Sequence, residues 1–92
     1  MSTPGRSDFI ADCAAGEGHF PGNPIVPGAW LLDQILRRLP LAASPVCVHA
    51  VKFRNVVTPG TPVQLEYGDD GAGRCRFVLR AGGRVCVDGV AS

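Results

Sequence analysis

Apolar residues recur at helical spacing in one stretch of the chain, and this pattern predicts a single helix over Pro27–Leu39. Proline is favoured at the first position of a helix, so Pro27 marks the start. Pro40 cannot continue the helix and ends it. One side of the helix is an apolar stripe, which should pack against a sheet. The stripe consists of Leu31, Leu32, Ile35, Leu36 and Leu39.

Short runs of valine and aromatic residues, separated by glycine and proline, predict five strands. In the first strand, Phe9, Ala11 and Cys13 face one way, with Asp8, Ile10 and Asp12 on the other side. In the fourth, Cys75 and Phe77 alternate with Arg74 and Arg76. Five antiparallel strands and one helix predict an α+β fold. The predicted strands are Ser7–Ala14, Val46–Arg54, Thr61–Tyr67, Arg74–Ala81 and Val85–Ala91.

The other side of the predicted helix is polar and contains one carboxylate, Asp33. Two interpretations of Asp33 stay open: a surface ion pair with Arg37, four residues further on, or a functional acid. Trp30 projects to this same side, which indicates that the side is covered, for example by a second subunit. An uncovered edge of the sheet also favours pairing of two chains, since an exposed edge strand is a liability.

The composition narrows the class of protein. Ninety-two residues, 46% of them hydrophobic, predict one ordered domain over residues 1–92. A net charge of +1 gives no reason to expect nucleic acid or an anionic membrane surface as a partner. No run approaches the roughly 20 apolar residues that cross a bilayer, and no apolar leader segment precedes residue 18. We therefore expect a soluble, cytoplasmic protein.

The cysteines do not form a recognisable metal or disulfide pattern. They show neither CxxC nor framework spacing, which is typical of buried, reduced thiols. Cys47 and His49 share one face of a predicted strand, but a zinc site usually needs three or four ligands, so we predict no metal site and a structural role for His49. The four cysteines are Cys13, Cys47, Cys75 and Cys86.

The loop before the helix carries the candidate chemistry. His19 is a side chain that acts as a base near neutral pH. At the helix start, the N–H groups of Gly28 and Ala29 lack partners within the helix and lie at the positive end of its dipole, where an oxyanion is stabilised. Asp33 follows as a second acid–base group. The residues that give the loop its rigid path are Phe20, Pro21, Gly22, Pro24 and Pro27.

Two segments resemble one known family, the hot-dog-fold 3-hydroxyacyl-ACP dehydratases (ACP, acyl carrier protein). The first is HFPGNPIVPG at residues 19–28, with Asp33 fourteen positions after His19. The second, at residues 52–60, is KFRNVVTPG, which resembles the KFR-x-x-V-x-PG segment of that family. The family carries Glu or Asp at the position of Asp33. The aspartate is similar to the dehydratase–isomerase branch and to some dehydratases of aryl-polyene and polyketide-like clusters.

The resemblance implies dehydration of (3R)-3-hydroxyacyl-ACP to trans-2-enoyl-ACP in fatty-acid-like or polyketide-like biosynthesis. It implies His19 as the base for the α-proton, Gly28 and Ala29 as donors to the thioester oxygen, and Asp33 as the acid for the departing hydroxyl. It further implies a homodimer in which each site combines His19 of one chain with Asp33 of the other. No cofactor is expected beyond the phosphopantetheine arm of acyl carrier protein.

Two alternatives to a simple dehydratase remain at this point. In the first, the chain is a dehydratase that also has isomerase activity. In the second, it is a non-catalytic acyl-ACP-binding subunit that pairs with an active homologue. A thioesterase is less favoured, because hot-dog thioesterases generally place a carboxylate on the helix without HFPG. Basic side chains are candidates for docking the acidic carrier protein, with a solvated surface as the equal alternative. These are Arg37, Arg38, Lys52, Arg54, Arg74, Arg76 and Arg80.

Overall fold

The chain folds into one antiparallel sheet and one helix, as seen in a computed structural model that describes residues 4–12, 25–41 and 45–92. The sheet has five strands in the order β1-β3-β4-β5-β2, and each neighbouring pair is antiparallel. The predicted α+β, hot-dog arrangement is confirmed. The elements are β1 (Gly5–Ala11), α1 (Gly28–Arg38), β2 (Val48–Phe53), β3 (Thr61–Asp69), β4 (Cys75–Ala81) and β5 (Arg84–Ala91).

The apolar stripe of α1 packs on one face of the sheet. Leu31, Ile35 and Leu39, spaced four residues apart, are buried, and Leu32 and Leu36 flank them half-buried. They share one cluster with inward side chains of β3, β4 and β5. In β3 and β4 these alternate with less buried residues, as expected for strands that are covered on one side, whereas in β5 the adjacent Cys86 and Val87 are both buried at a register shift against β4. The strand residues buried in this cluster are Val63, Leu65, Cys75, Phe77, Leu79, Cys86, Val87 and Ala91.

The position of Trp30 corrects the prediction made from the helical pattern. Trp30 is half-buried and packs against the core cluster, so a second subunit is not needed to cover it. The exposed stripe of α1 is narrower than the pattern suggested and consists of Ala29, Asp33 and Arg37. Successive helical residues are about 100° apart, which places Trp30 beside the buried Leu31 at the border of the core.

The strand boundaries differ from the predicted ones by up to two residues within the described chain, and β3 continues to Asp69 instead of ending at Tyr67. β1 begins at Gly5, before the predicted Ser7, and the predicted end at Ala14 lies outside the described residues. β2 is shorter than Val46–Arg54, although the backbone of Cys47 pairs with Ser92 through N–O distances of 2.8 and 2.9 Å. The alternation predicted for Phe9, Ala11, Cys75 and Phe77 is confirmed by their burial.

The described cysteines only partly follow the prediction of buried thiols. Cys75 and Cys86 are free and buried, and burial raises the pKa of both thiols. Cys47 is free but exposed, because it precedes an edge strand and no element covers it. Cys13 lies outside the described residues. Among the described residues, the single helix has eleven residues and is too short to cross a membrane.

Three glycines are required by turn geometry or by close approach. Gly82 and Gly83 both have positive φ values, of 58° and 84°, as the tight β4–β5 hairpin needs. Gly89 lies between β2 and the core: a Cβ there would overlap the carbonyl oxygen of Ala50 and lie 2.6 Å from Cζ of Phe77. At this point, β2 and the core ring of Phe77 leave no room for a side chain.

We predict that Gly89→Ala lowers the free energy of unfolding by about 1–3 kcal/mol, the usual range for overpacking a core. The matched control is Gly68→Ala, also within a strand, where a Cβ would meet only Pro4 at 3.8 Å. Urea unfolding of both variants at one protein concentration makes the comparison. Equal stabilities for the two variants would contradict the close packing at Gly89.

Candidate active site

The first turn of α1 begins one residue later than predicted. Pro27 has an extended ψ of 138° and caps the helix from outside, so Gly28 is the first helical residue. The carbonyl of Pro27 accepts from the N–H groups of Trp30 and Leu31, at 3.1 and 3.2 Å. Within the described part of the chain, the N–H groups of Gly28 and Ala29 have no acceptor. Both groups lie in the first turn, at the positive end of the helix dipole, where an oxyanion is stabilised.

The second sequence motif meets this helix start in space. Phe53 ends β2, and the segment that follows it forms a pocket of about 390 Å³ together with Gly28 and Leu31. The N–H of Val26 donates to the carbonyl of Val57 at 2.7 Å and joins the two segments directly. The pocket is mostly apolar, which suits an acyl group. Its lining residues are Ile25, Val26, Gly28, Leu31, Phe53, Arg54, Asn55, Val56 and Val57.

The ring of Phe53 lies directly against the backbone of Gly28. A Cβ at Gly28 would be 2.9 Å from Cε1 and 3.1 Å from Cδ1 of Phe53. The ring can occupy this space because Gly28 has no side chain. The side chain of Phe53 is nevertheless 52% exposed, so the ring is a wall of the pocket and not part of the closed core.

The segment after β2 is held by hydrogen bonds to β5. The N–H groups of Arg54 and Asn55 both donate to the carbonyl of Cys86, at 2.7 and 3.4 Å. The side-chain amide of Asn55 donates to the carbonyl of Val85 at 2.7 Å, and its oxygen accepts from Arg84 at 2.6 Å. These bonds tie the pocket wall to the hairpin between β4 and β5.

Asp33 does not line this pocket in the single chain. Its carboxylate accepts a hydrogen bond from Arg37 at 2.8 Å, and its side chain is 51% exposed. The hydrogen bond and then the charge of Asp33 raise the pKa of Arg37. The surface ion pair, one of the two interpretations of Asp33, is therefore present. Such an exposed pair contributes little to stability and leaves a catalytic role untested.

Several predicted site residues fall outside the described part of the chain. His19, the predicted base, lies between residues 12 and 25, as do the loop-shaping Phe20, Pro21, Gly22 and Pro24. Their predicted roles therefore stay predictions. The described members of the predicted site are Pro27, Gly28, Ala29 and Asp33, and the first three adjoin the pocket or its helix turn.

His49 forms a hydrogen bond from Nε2 to the hydroxyl of Ser92, at 2.8 Å. A register shift between Val48 and Ala50 interrupts the alternation of β2 at this residue. Over residues 4–12, 25–41 and 45–92, no group of three or more His, Cys, Asp and Glu side chains comes together as a metal site would require. The bond to Ser92 is consistent with the structural role predicted for His49.

Two residues of this site were not assigned a role from the sequence. Phe53 and Asn55 belong to the second motif, but neither carries a signal of its own, since a strand phenylalanine and a loop asparagine are ordinary. Only their contacts with Gly28 and Val85 reveal what they do.

The family model for ApeI-like proteins, described as ApeI dehydratase, matches residues 5–90. The chain belongs to this family. It is also similar to two proteins named 3-hydroxyacyl-[acyl-carrier-protein] dehydratase FabZ. The one from Chloroflexus aggregans is 38% identical over an alignment of 61 residues, and the match covers 54% of this chain and 42% of that protein. The one from Acetivibrio thermocellus is 28% identical over an alignment of 88 residues, and the match covers 79% of this chain and 60% of that protein.

The chain spans about half the length of these curated relatives. Among solved structures, it resembles one titled the dehydratase heterocomplex ApeI:P from Xenorhabdus doucetiae. The TM-score is 0.74 at 21% identity, over 97% of this chain and 85% of that one. An uncharacterised protein from Erwinia carotovora subsp. atroseptica has a TM-score of 0.70 at 20% identity, over 100% and 86% of the two chains. Both likenesses support the fold assigned above.

We predict that Asn55→Ala loosens the pocket wall and lowers the free energy of unfolding by about 1–2 kcal/mol, because the carbonyl of Val85 loses its donor. Amide hydrogen exchange at Arg54 and Asn55 should become faster. Arg84→Ala is the control, since it removes the other partner of Asn55 but keeps the bond to Val85. Exchange as fast in Arg84→Ala as in Asn55→Ala would show that the bond to Val85 is not what holds the segment.

Proposed function

We propose that this chain dehydrates a (3R)-3-hydroxyacyl group on acyl carrier protein to the trans-2-enoyl product, in fatty-acid-like or polyketide-like biosynthesis. One observation carries the proposal: the first residue of the helix, Gly28, lines an apolar pocket built from both motifs, and Ala29 follows it in the same first turn. The membership of the family and the names of its FabZ relatives support it. A cytoplasmic location and the absence of a cofactor stay predictions.

In the proposed reaction, His19 removes a proton from the α-carbon of the thioester. The negative charge moves onto the thioester oxygen, which accepts from the N–H groups of Gly28 and Ala29. Fixed donors of this kind are usually a large part of the electrostatic stabilisation of a transition state. Asp33 donates a proton to the β-hydroxyl as its C–O bond breaks, water leaves, and the α–β double bond forms. The proton held by His19 then returns to the acid.

We infer that Asp33 is covered when it serves as the acid, and a second chain is the cover that we propose. Burial favours the neutral form of a carboxyl group, whereas the Asp33 side chain is 51% exposed and bound to Arg37 in the single chain. We therefore propose that each site combines His19 of one chain with Asp33 of another. A homodimer meets this requirement, and the structure from Xenorhabdus doucetiae, titled a dehydratase heterocomplex, is a precedent for pairing between two different chains.

The edge of β2 is the better candidate for that dimer. Three of the four large apolar side chains that are exposed in the described residues lie on β2 or its flanks: Val46, Phe53 and Val56. The opposite edge, β1, carries the exposed Arg6–Asp8 ion pair, the kind of charge that protects an edge from pairing. A second copy along β2 would complete the sheet and enclose the pocket.

A basic groove on the face opposite α1 fits an acidic carrier protein. It has a volume of about 440 Å³, and four cationic side chains and one carboxylate line it. Arg54 is paired with the carboxylate, Asp88, and Arg80 with Glu66. Within the described residues, Lys52 and Arg76 have no such partner. Arg54 also lines the pocket at the helix start, so a protein docked in the groove lies beside the site.

The proposed site predicts that His19→Ala and Asp33→Asn each abolish turnover while the protein stays folded. Unfolding the two variants and refolding them together should restore roughly a quarter of wild-type activity, because about half the dimers are mixed and each has one intact site. The assay follows the absorbance of the enoyl thioester, and mass spectrometry counts mixed dimers.

Mixed dimers without activity would reject the shared site. Full activity of His19→Ala would reject the mechanism, and an inactive wild type would favour the binding-subunit alternative.

The docking surface predicts that Arg76→Glu lowers kcat/KM for an ACP-borne substrate by on the order of tenfold, by weakening electrostatic association. Turnover of a short thioester without carrier protein should not change. Arg6→Glu is the control, because Arg6 lies on the same face at the far edge and is already paired with Asp8. Equal effects of the two substitutions would remove the groove as the docking surface.

A further inference from the structure

The position of Phe53 assigns it a role that the motif alone does not. Its ring fills the space beside Gly28, with Cε1, Cδ1 and Cζ within 2.9–3.3 Å of where a Cβ would stand. The Cβ position and the N–H of Gly28 are both attached to one Cα atom. A group that accepts from this N–H is therefore bound close to the ring.

The rest of the pocket does not restrict the ligand at this point in the same way. Val56, on the same wall, is 72% exposed and projects away from the core. Leu31 belongs to the closed core beneath the helix. Phe53 is a large side chain that touches the first residue of α1 and also lines the pocket, with half of its surface accessible in the single chain.

We propose that Phe53 is the specificity-determining residue of this site: its ring limits the bulk of the acyl group next to the reacting carbons. This proposal rests on the proposed function, because the thioester oxygen is what places the acyl group at Gly28. The ring admits an unbranched chain alongside it and excludes a wide group at the β-carbon. Gly28 and Phe53 form a matched pair, in which the missing side chain of one makes room for the ring of the other.

The test compares two carrier-free thioesters, 3-hydroxyhexanoyl and 3-hydroxy-3-phenylpropanoyl, as substrates of the wild type, Phe53→Leu and Phe53→Ala. We expect the ratio of kcat/KM, phenyl over hexanoyl, to rise about tenfold or more in Phe53→Ala, the scale of discrimination that one or two carbon groups give. Phe53→Leu should lie between. Ile10→Ala, equally exposed on β1 but remote from the pocket, should leave the ratio unchanged.

A second measurement tests the pair. Gly28→Ala should lower kcat/KM for the hexanoyl substrate about tenfold in the wild type, because the new Cβ displaces the ring. It should have less than about a threefold effect in Phe53→Ala, as expected for two side chains in contact. An unchanged substrate ratio in Phe53→Ala, or an equal loss from Gly28→Ala in both backgrounds, overturns the role of Phe53 and leaves the proposed function standing. A wild type that dehydrates neither thioester overturns the proposed function instead.

Discussion

The structure depends on burying one apolar stripe of a single helix against one face of an antiparallel sheet. Leu31, Ile35 and Leu39 reach the core only if α1 lies across β3, β4 and β5 in one orientation. That burial is the dominant favourable term in a domain of this size. Once the helix is docked, the position of its first turn relative to β2 follows, and with it the location of the pocket.

The pocket lies between the first turn of α1 and the segment that follows β2. The first turn of α1 leaves N–H groups without partners, as every helix start does. The segment after β2 departs from the sheet but stays fastened to β5 by the bonds of Asn55 and by the carbonyl of Cys86. Between these two backbones, the ring of Phe53 fits only because residue 28 is glycine. The result is an apolar wall next to polar donors.

A single helix covers one face of the sheet and leaves the opposite face and both edges uncovered among the described residues. The face opposite α1 is charged, with Arg54, Arg80 and their acidic partners exposed on it. One edge, β1, is protected by charge, whereas the other ends in exposed apolar side chains. The same uneven coverage explains why Asp33 remains exposed in one chain: nothing in the described residues reaches the outer stripe of α1.

The sequence by itself determined the helix to within a residue at each end, the presence of five strands, the alternation of Phe9 and Phe77 and the family. These follow from local periodicity and from motifs that the chain carries in order. Only the tertiary structure decided that Trp30 packs against the core, that Cys47 is exposed and that Phe53 meets Gly28. Such contacts join residues far apart in sequence, and which of them form depends on how the helix and strands dock, which no local pattern encodes.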